Sequence, residues 1–263
     1  VTDYELNLFN QINNTDTPVA VLFSKCDETD KEDLNAVIQR IYPNKTFDSI
    51  KEEEDNKSPF FTVSNDVKLP ENKRNLFSKE PIIRWSLNKL PKIFESAFIS
   101  SQNISLDLKE KEAMKIVRQH TAGNAMTGFT PIPFSDAPML FASQTTMLVR
   151  IFKAYGVSGD TAEQFAKSAA MGSLISSLGK ALVGRALKFI PIVGTAVGGM
   201  INASVASSIT YAMGASTSAL LYKFYKGKIS GKYNIDKDLL EFVKNNFKEY
   251  FKNYYNKNND KNI

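Results

Sequence analysis

Two short tracts hold the residues whose types and spacing suit ligand recognition. The apolar run Pro18-Val19-Ala20-Val21-Leu22-Phe23 passes directly into Ser24-Lys25-Cys26-Asp27, and Pro59 to Val63 passes into Ser64-Asn65-Asp66. A buried parallel strand that delivers a lysine and a carboxylate to its carboxyl end stands where an α/β fold places a ligand. The chemistry on offer is hydrogen-bonded recognition, not bond-making. His120 is the only histidine and has no serine or cysteine that spacing would pair with it, so it is expected near a helix end facing solvent. Cys26 sits inside the recognition tetrad, which argues against a catalytic thiol. No carboxylate pair and no metal-ligand cluster stands out, so no catalytic residue and no metal ligand is assigned.

The elements that must position these tracts follow from periodicity. Asp3 to Ile12 sets Tyr4, Leu8 and Ile12 at helical spacing. Thr29 and Glu32 form a capping-box pattern, and the helix behind them carries Leu34, Val37, Ile38 and Ile41 on one face. Residues 51–57 read as an acidic solvated loop. A helix from about Glu80 to Ser100 has Ile83, Leu87, Leu90, Ile93, Phe94 and Ala97 as its apolar stripe, with Trp85 beside it and a kink or break at Pro91. Strand, helix, strand, helix is a βαβ unit, but two strands are few for a parallel sheet, so the piece reads as the back half of a doubly wound domain.

Beyond Leu106 helical periodicity dominates. Glu112 to Thr121 is helical, a Pro-rich connector runs to Pro138, and the next helix stops at Tyr155-Gly156. Asp160 and Glu163 cap a further helix towards Lys188, Pro191 and Gly194 turn the chain, and a long helix reaches about Tyr225. Residues 236–255 form a final amphipathic helix with Leu239, Val243, Phe247, Tyr250 and Tyr254 on one side. The expected fold class is therefore α/β, a partial parallel sheet, followed by an all-α helical domain. Its domains are residues 1–104, residues 105–232, and a basic helix and disordered tail over 233–263.

Bulk numbers set limits. The 263 residues are 43% hydrophobic and 23% charged, the balance of a folded chain. A single cysteine excludes an internal disulfide and suits a reducing compartment. The net charge is +5, and from Lys223 onward ten lysines face five acids, so the excess lies in the tail and the body is neutral. A neutral body argues against nucleic acid as a partner. The start, Val1-Thr2-Asp3-Tyr4-Glu5, resembles no signal peptide and lacks an initiating Met, which points to a start that is not the natural one.

The tetrad Ser24-Lys25-Cys26-Asp27 is similar to the N/T-K-x-D guanine-recognition motif of the translation-factor-type (Era-like) GTPases, with Ser in place of Asn or Thr. The resemblance implies that Asp27 accepts two hydrogen bonds from the amide-and-amino edge of guanine while the Lys25 stem packs over the base. It also implies that Ser64-Asn65 supplies an S-A-like turn whose backbone N–H meets the guanine oxygen. The implied ligand is GTP or GDP, held by Ser24, Lys25, Asp27, Ser64 and Asn65 and bound weakly or not at all by this chain alone. The triphosphate loop, the Mg²⁺-binding Thr and the D-x-x-G turn of these GTPases lie upstream of the guanine motif. The resemblance thus has the chain begin mid-domain, and Mg²⁺ is expected only where the missing half is present. Gly123 to Thr130 mimics the phosphate loop with Phe129 where Lys is needed, and reads as a helix-breaking connector.

The helical half resembles a bacterial GTPase-associated helical domain of unknown function. The likeness rests on residues 127–138, Gln144, Met147, Arg150-Ile151, Tyr155-Gly156, residues 190–194 and residues 210–214. No charged side chain occurs from Phe189 to Tyr222, where Gly194 and Gly198 start a ridge of small residues, so both a buried helical hairpin and a membrane contact are open. The hairpin is favoured by the Ser, Thr and Asn content and by Lys180, Arg185 and Lys188 on the partner helix. The expected function is a GTP-binding, switch-type fragment without turnover of its own. The alternative is a non-enzymatic helical domain that docks an unknown protein partner or a membrane beside a degenerate nucleotide site. A third option is a truncated gene product. The expected location is the cytoplasm, with peripheral or integral attachment to the inner membrane as the variant.

Overall fold

The computed structural model describes residues 2–13, 16–52, 59–66, 68–127, 137–157, 203–229 and 235–259. It is mainly helical with one small parallel sheet, and it divides into two compact units, Val1–Phe98 and Ile99–Ile263.

In the first unit α1 (Asp3–Asn13) precedes β1 (Val21–Ser24), then α2 (Lys31–Ile41), α3 (Phe47–Glu52), β2 (Phe60–Val63), α4 (Glu71–Leu76), α5 (Glu80–Lys89) and most of α6 (Lys92–Ser101). The strands pair in parallel with Val21 opposite Phe60 and Ser24 opposite Val63. Strand alternation then sorts the core. Phe23 and Phe60 join Cys26, Leu34, Ile38 and Ile50 on one face, while Phe61 and Val63 meet Trp85 on the other. The Phe61 and Trp85 rings meet edge-on at 6.1 Å. β2 is buried along its whole length.

β1 differs from its expected burial. Leu22 is 48% exposed although Phe61, its neighbour across the pair, is 2% exposed. The Val21 N–H donates to Pro59 O at 2.8 Å. Strand alternation therefore turns the main-chain groups of Leu22 and Ser24 to the opposite edge, where no described strand pairs with them. The stripe on α1 is likewise uncovered, with Tyr4 76%, Leu8 43% and Ile12 39% exposed. Phe9 makes the contact instead, an edge-on approach to Tyr42 at 5.9 Å.

Three local expectations are corrected. Asp30, not Thr29, caps α2, its carboxylate accepting the Asp33 N–H at 2.9 Å. Residues 51 and 52 belong to α3, and residues 53–58 lie outside the described residues. The helix from Glu80 breaks at Leu90-Pro91, and the break turns the second half of its stripe outward, leaving Ile93 82% and Phe94 52% exposed. Ile99 is the residue α6 buries.

The second unit holds the end of α6 with α7 (Leu106–Thr127), α8 (Ala137–Ala154), α9 (Ala203–Ile229) and α10 (Ile235–Asn259). α9 is central and packs on α7, α8 and α10. From Ala206 to Ser218 it is buried nearly all round, the signature of an interior helix. Its hydroxyls are satisfied within the helix: Thr210 donates to Ala206 O at 3.0 Å, Ser216 to Ala212 O at 2.6 Å and Thr217 to Met213 O at 2.9 Å. That is how a segment rich in Ser and Thr stays buried in protein. Among the described residues no helix is long and apolar enough to cross a membrane.

α8 ends as its sequence predicts. Gly156 adopts φ +87°, its N–H reaching Lys153 O at 2.8 Å and that of Val157 reaching Phe152 O at 3.1 Å. Tyr155 before it is fully buried, donates to Ser218 O at 3.0 Å and stacks on Tyr225 at 5.8 Å. α10 is part of this core, not a separate module. Phe247 and Phe251 are buried, and Tyr254 stacks on Tyr211 at 4.3 Å. α7 runs straight through Gly123 to Thr127, so that stretch is helix where a connector is expected. The connector over 128–136, the Asp160–Glu163 cap, the helix towards Lys188, the Pro191 and Gly194 turn and the Gly194–Gly198 ridge lie outside the described residues.

Candidate functional site

The site is built by the parallel register. With Ser24 opposite Val63, the turns Lys25-Cys26-Asp27 and Ser64-Asn65-Asp66 leave the sheet side by side at its carboxyl end. The Cys26 N–H reaches Val63 O at 3.5 Å and ties them together. Cys26 itself points into the core, 2% exposed, with Sγ donating to Phe23 O at 3.0 Å. Burial raises its thiol pKa, which keeps it protonated and inert. The buried residue in the middle of the tetrad thus turns its two neighbours outward: Lys25 is exposed and Asp27 half-buried.

Lys25 carries the backbone signal. Its φ is 59°, the one left-handed residue other than glycine among the described residues. For a side chain with a Cβ this conformation costs roughly 1–2 kcal/mol and persists only where the surroundings impose it. The Lys25 carbonyl is held by two donors from the chain that follows, accepting the Glu28 N–H at 3.1 Å and the Thr29 hydroxyl at 3.4 Å. Thr29, expected as a helix cap, therefore serves the turn. Nothing in the spacing marks that role, because it depends on the dihedral angle of Lys25.

The Ser64 N–H is taken by Phe77 O at 3.2 Å, and its hydroxyl accepts the Asp66 N–H at 2.9 Å. Ser64 is thereby a brace for the turn. Asn65 is exposed, and its N–H has no partner among the described residues. Ser24 is exposed at the strand end. The two turns thus bring Lys25, Asp27, the Asp66 carboxylate and, among the described residues, an unbonded Asn65 N–H to the same end of the sheet. Such groups are of the types that recognise a ligand by hydrogen bonds. They contain no nucleophile–base pair, and among the described residues no cluster of His, Cys, Asp or Glu could hold a metal ion.

The helical unit holds two polar sites that sequence reasoning misses. Lys109 is 1% exposed, and its ammonium donates to Ser100 O at 2.6 Å in the last turn of α6. Burial pulls its pKa down to about 8. The geometry is that of a cation closing a helix C-terminus. A lysine in a charged stretch gives no sequence signal of burial. His120 lies within α7, half-buried, not at a helix end. Its Nδ1 is 3.1 Å from Ser143 Oγ and its Nε2 is 3.1 Å from an Arg150 guanidinium nitrogen. Arginine only donates, so Nε2 accepts, and the ring proton on Nδ1 points at Ser143. In that tautomer the imidazole cannot take the Ser143 proton, so the pair is no hydrolase dyad.

No protein-family model, curated protein or solved structure matches the chain.

Proposed function

We propose that the Lys25–Asp27 and Ser64–Asn65 turns form a guanine-selective nucleotide pocket, as in the carboxyl-terminal half of an Era-like GTPase unit. The observation that carries this reading is the left-handed Lys25 at the end of a parallel strand, in register with a turn whose Asn65 N–H has no partner among the described residues. A residue under backbone strain at a strand's carboxyl end is what a fixed recognition loop requires. In this reading Asp27 accepts the two donors of the base edge, Asn65 N–H meets the base oxygen, and the Lys25 stem covers the ring. Ser64 and Cys26 hold the turns in place. The chain supplies base recognition and no groups for phosphoryl transfer, so it binds weakly and turns over nothing.

The test is NMR titration of the full chain with GDP and with ADP. GDP is expected to shift the Asn65 amide and ADP to leave it in place. Asp27→Ala should weaken the GDP response by about 100-fold, the scale for losing two hydrogen bonds to a charged group. GTP should be released unhydrolysed. Equal responses to both nucleotides, or an Asp27→Ala variant that responds like the parent chain, would overturn the reading.

A further inference from the structure

We propose that the His120 contact between α7 and α8 is a proton-operated latch that loosens the two helices on acidification. The geometry permits one neutral arrangement. Arg150 can only donate to Nε2, and Nδ1–H then donates to Ser143 Oγ, each across 3.1 Å. The same guanidinium holds Gln119 Oε1 at 2.9 Å, so Arg150 closes on two consecutive α7 residues at once. A proton added at Nε2 removes the acceptor and sets an imidazolium against a guanidinium. Arg150 must then leave, and its hold on Gln119 goes with it.

Among the described residues the one charge felt at His120 is the Arg150 cation. The described elements packed most extensively on α7 are α8 and α9, while α6 meets it at Lys109, about three turns away from His120. α8 bears Arg150 and Lys153, both cations, and α9 bears no charged side chain from Ala203 to Tyr222. On α7 itself the flanking charges are Lys115 and Arg118, with Glu112 drawn to Lys115 at 3.4 Å. Burial, and after it the Arg150 charge, hold the imidazole below its ordinary value of 6.5. The sign follows. Above that value both folded and unfolded chains carry a neutral ring, and the contact contributes fully. As pH falls below it the unfolded chain takes up the proton first, and stability is lost until the folded ring titrates too.

Because His120 is the only histidine, its ring nitrogens can be followed in the full chain without ambiguity. ¹⁵N NMR of the imidazole is expected to show the Nδ1–H tautomer above about pH 8 and a titration midpoint below 6.5, with Arg150→Gln raising that midpoint. The urea midpoint of the wild type should fall between about pH 7.5 and about pH 5.5, by more than that of His120→Gln, which keeps a donor and an acceptor but does not titrate. An Nε2–H tautomer, a midpoint at or above 6.5, or one that Arg150→Gln leaves unmoved, would overturn the latch. So would equal pH dependence of wild type and His120→Gln. The ring measurement needs no variant at position 120, so it decides even if His120→Gln fails to fold.

Discussion

Gly214→Leu is expected to leave the helical unit unfolded at room temperature. Gly214 lies where α9 presses on α7 and α8. Even a Cβ there would stand 2.5 Å from Val117 Cγ2 and 3.1 Å from Met147 Sδ. Val117 and Met147 are both fully buried, so neither can swing aside into solvent. Over-filling a packed core by one methyl typically costs about 1–3 kcal/mol. Gly214→Ala should therefore survive with a melting temperature lower by roughly 5 °C. A leucine adds three more carbons to the same wall and should exhaust a stability of order 5–15 kcal/mol. Far-UV circular dichroism checks both, since the helices of this unit carry most of the signal. A Gly214→Leu chain that melts like the parent would mean that α9 does not approach α7 as described.

Phe61→Ala is expected to collapse the α/β unit and spare the helical one. Phe61 is 2% exposed and fills the gap between the sheet and Trp85. Truncating a buried phenylalanine costs about 3–5 kcal/mol. This unit has little in reserve, with two strands among the described residues and with Leu22, Ile93 and Phe94 left in solvent. Trp85 is the only tryptophan and is 8% exposed, so its emission reports this unit alone. The emission should shift to the red and lose its urea transition while the helical ellipticity of the other unit persists. Simultaneous loss of both signals would show the two units to be a single cooperative block.

Much of the α/β unit is legible in the sequence, because alternation and helical spacing are local signals. The strand ends at Ser24 and Val63 and the α2 face of Leu34 and Ile38, like the stop at Gly156 in the helical unit, all come from residues that fix their own backbone. What escapes depends on partners far along the chain. The stripe Tyr4, Leu8 and Ile12 predicts a helix correctly but cannot say whether anything covers it. Pro91 announces a break, yet not the direction in which Ile93 and Phe94 then point. Gly123 reads as a breaker, although a single glycine costs a long helix only about 1 kcal/mol, which α7 absorbs.

The two turns are legible in the same partial way. Their places at the strand ends follow from residue type and position, and the register sets them side by side. The left-handed backbone of Lys25 and the capture of the Ser64 N–H by Phe77 O are invisible without coordinates, because each depends on a turn geometry that many sequences share. The Ser143 and Arg150 partners of His120 lie a whole helix away and answer to no spacing rule.

The most direct measurement is a change of base preference at position 27. Guanine presents two donors to a carboxylate, whereas xanthine presents one donor and one carbonyl, the complement of an asparagine amide. In NMR titrations read at the Asn65 amide, the parent chain is expected to favour GDP over xanthosine diphosphate by about tenfold or more, and Asp27→Asn to reverse that order. A response at Asn65 that is the same for both bases, or an order that Asp27→Asn leaves unchanged, would contradict a guanine pocket at this sheet edge.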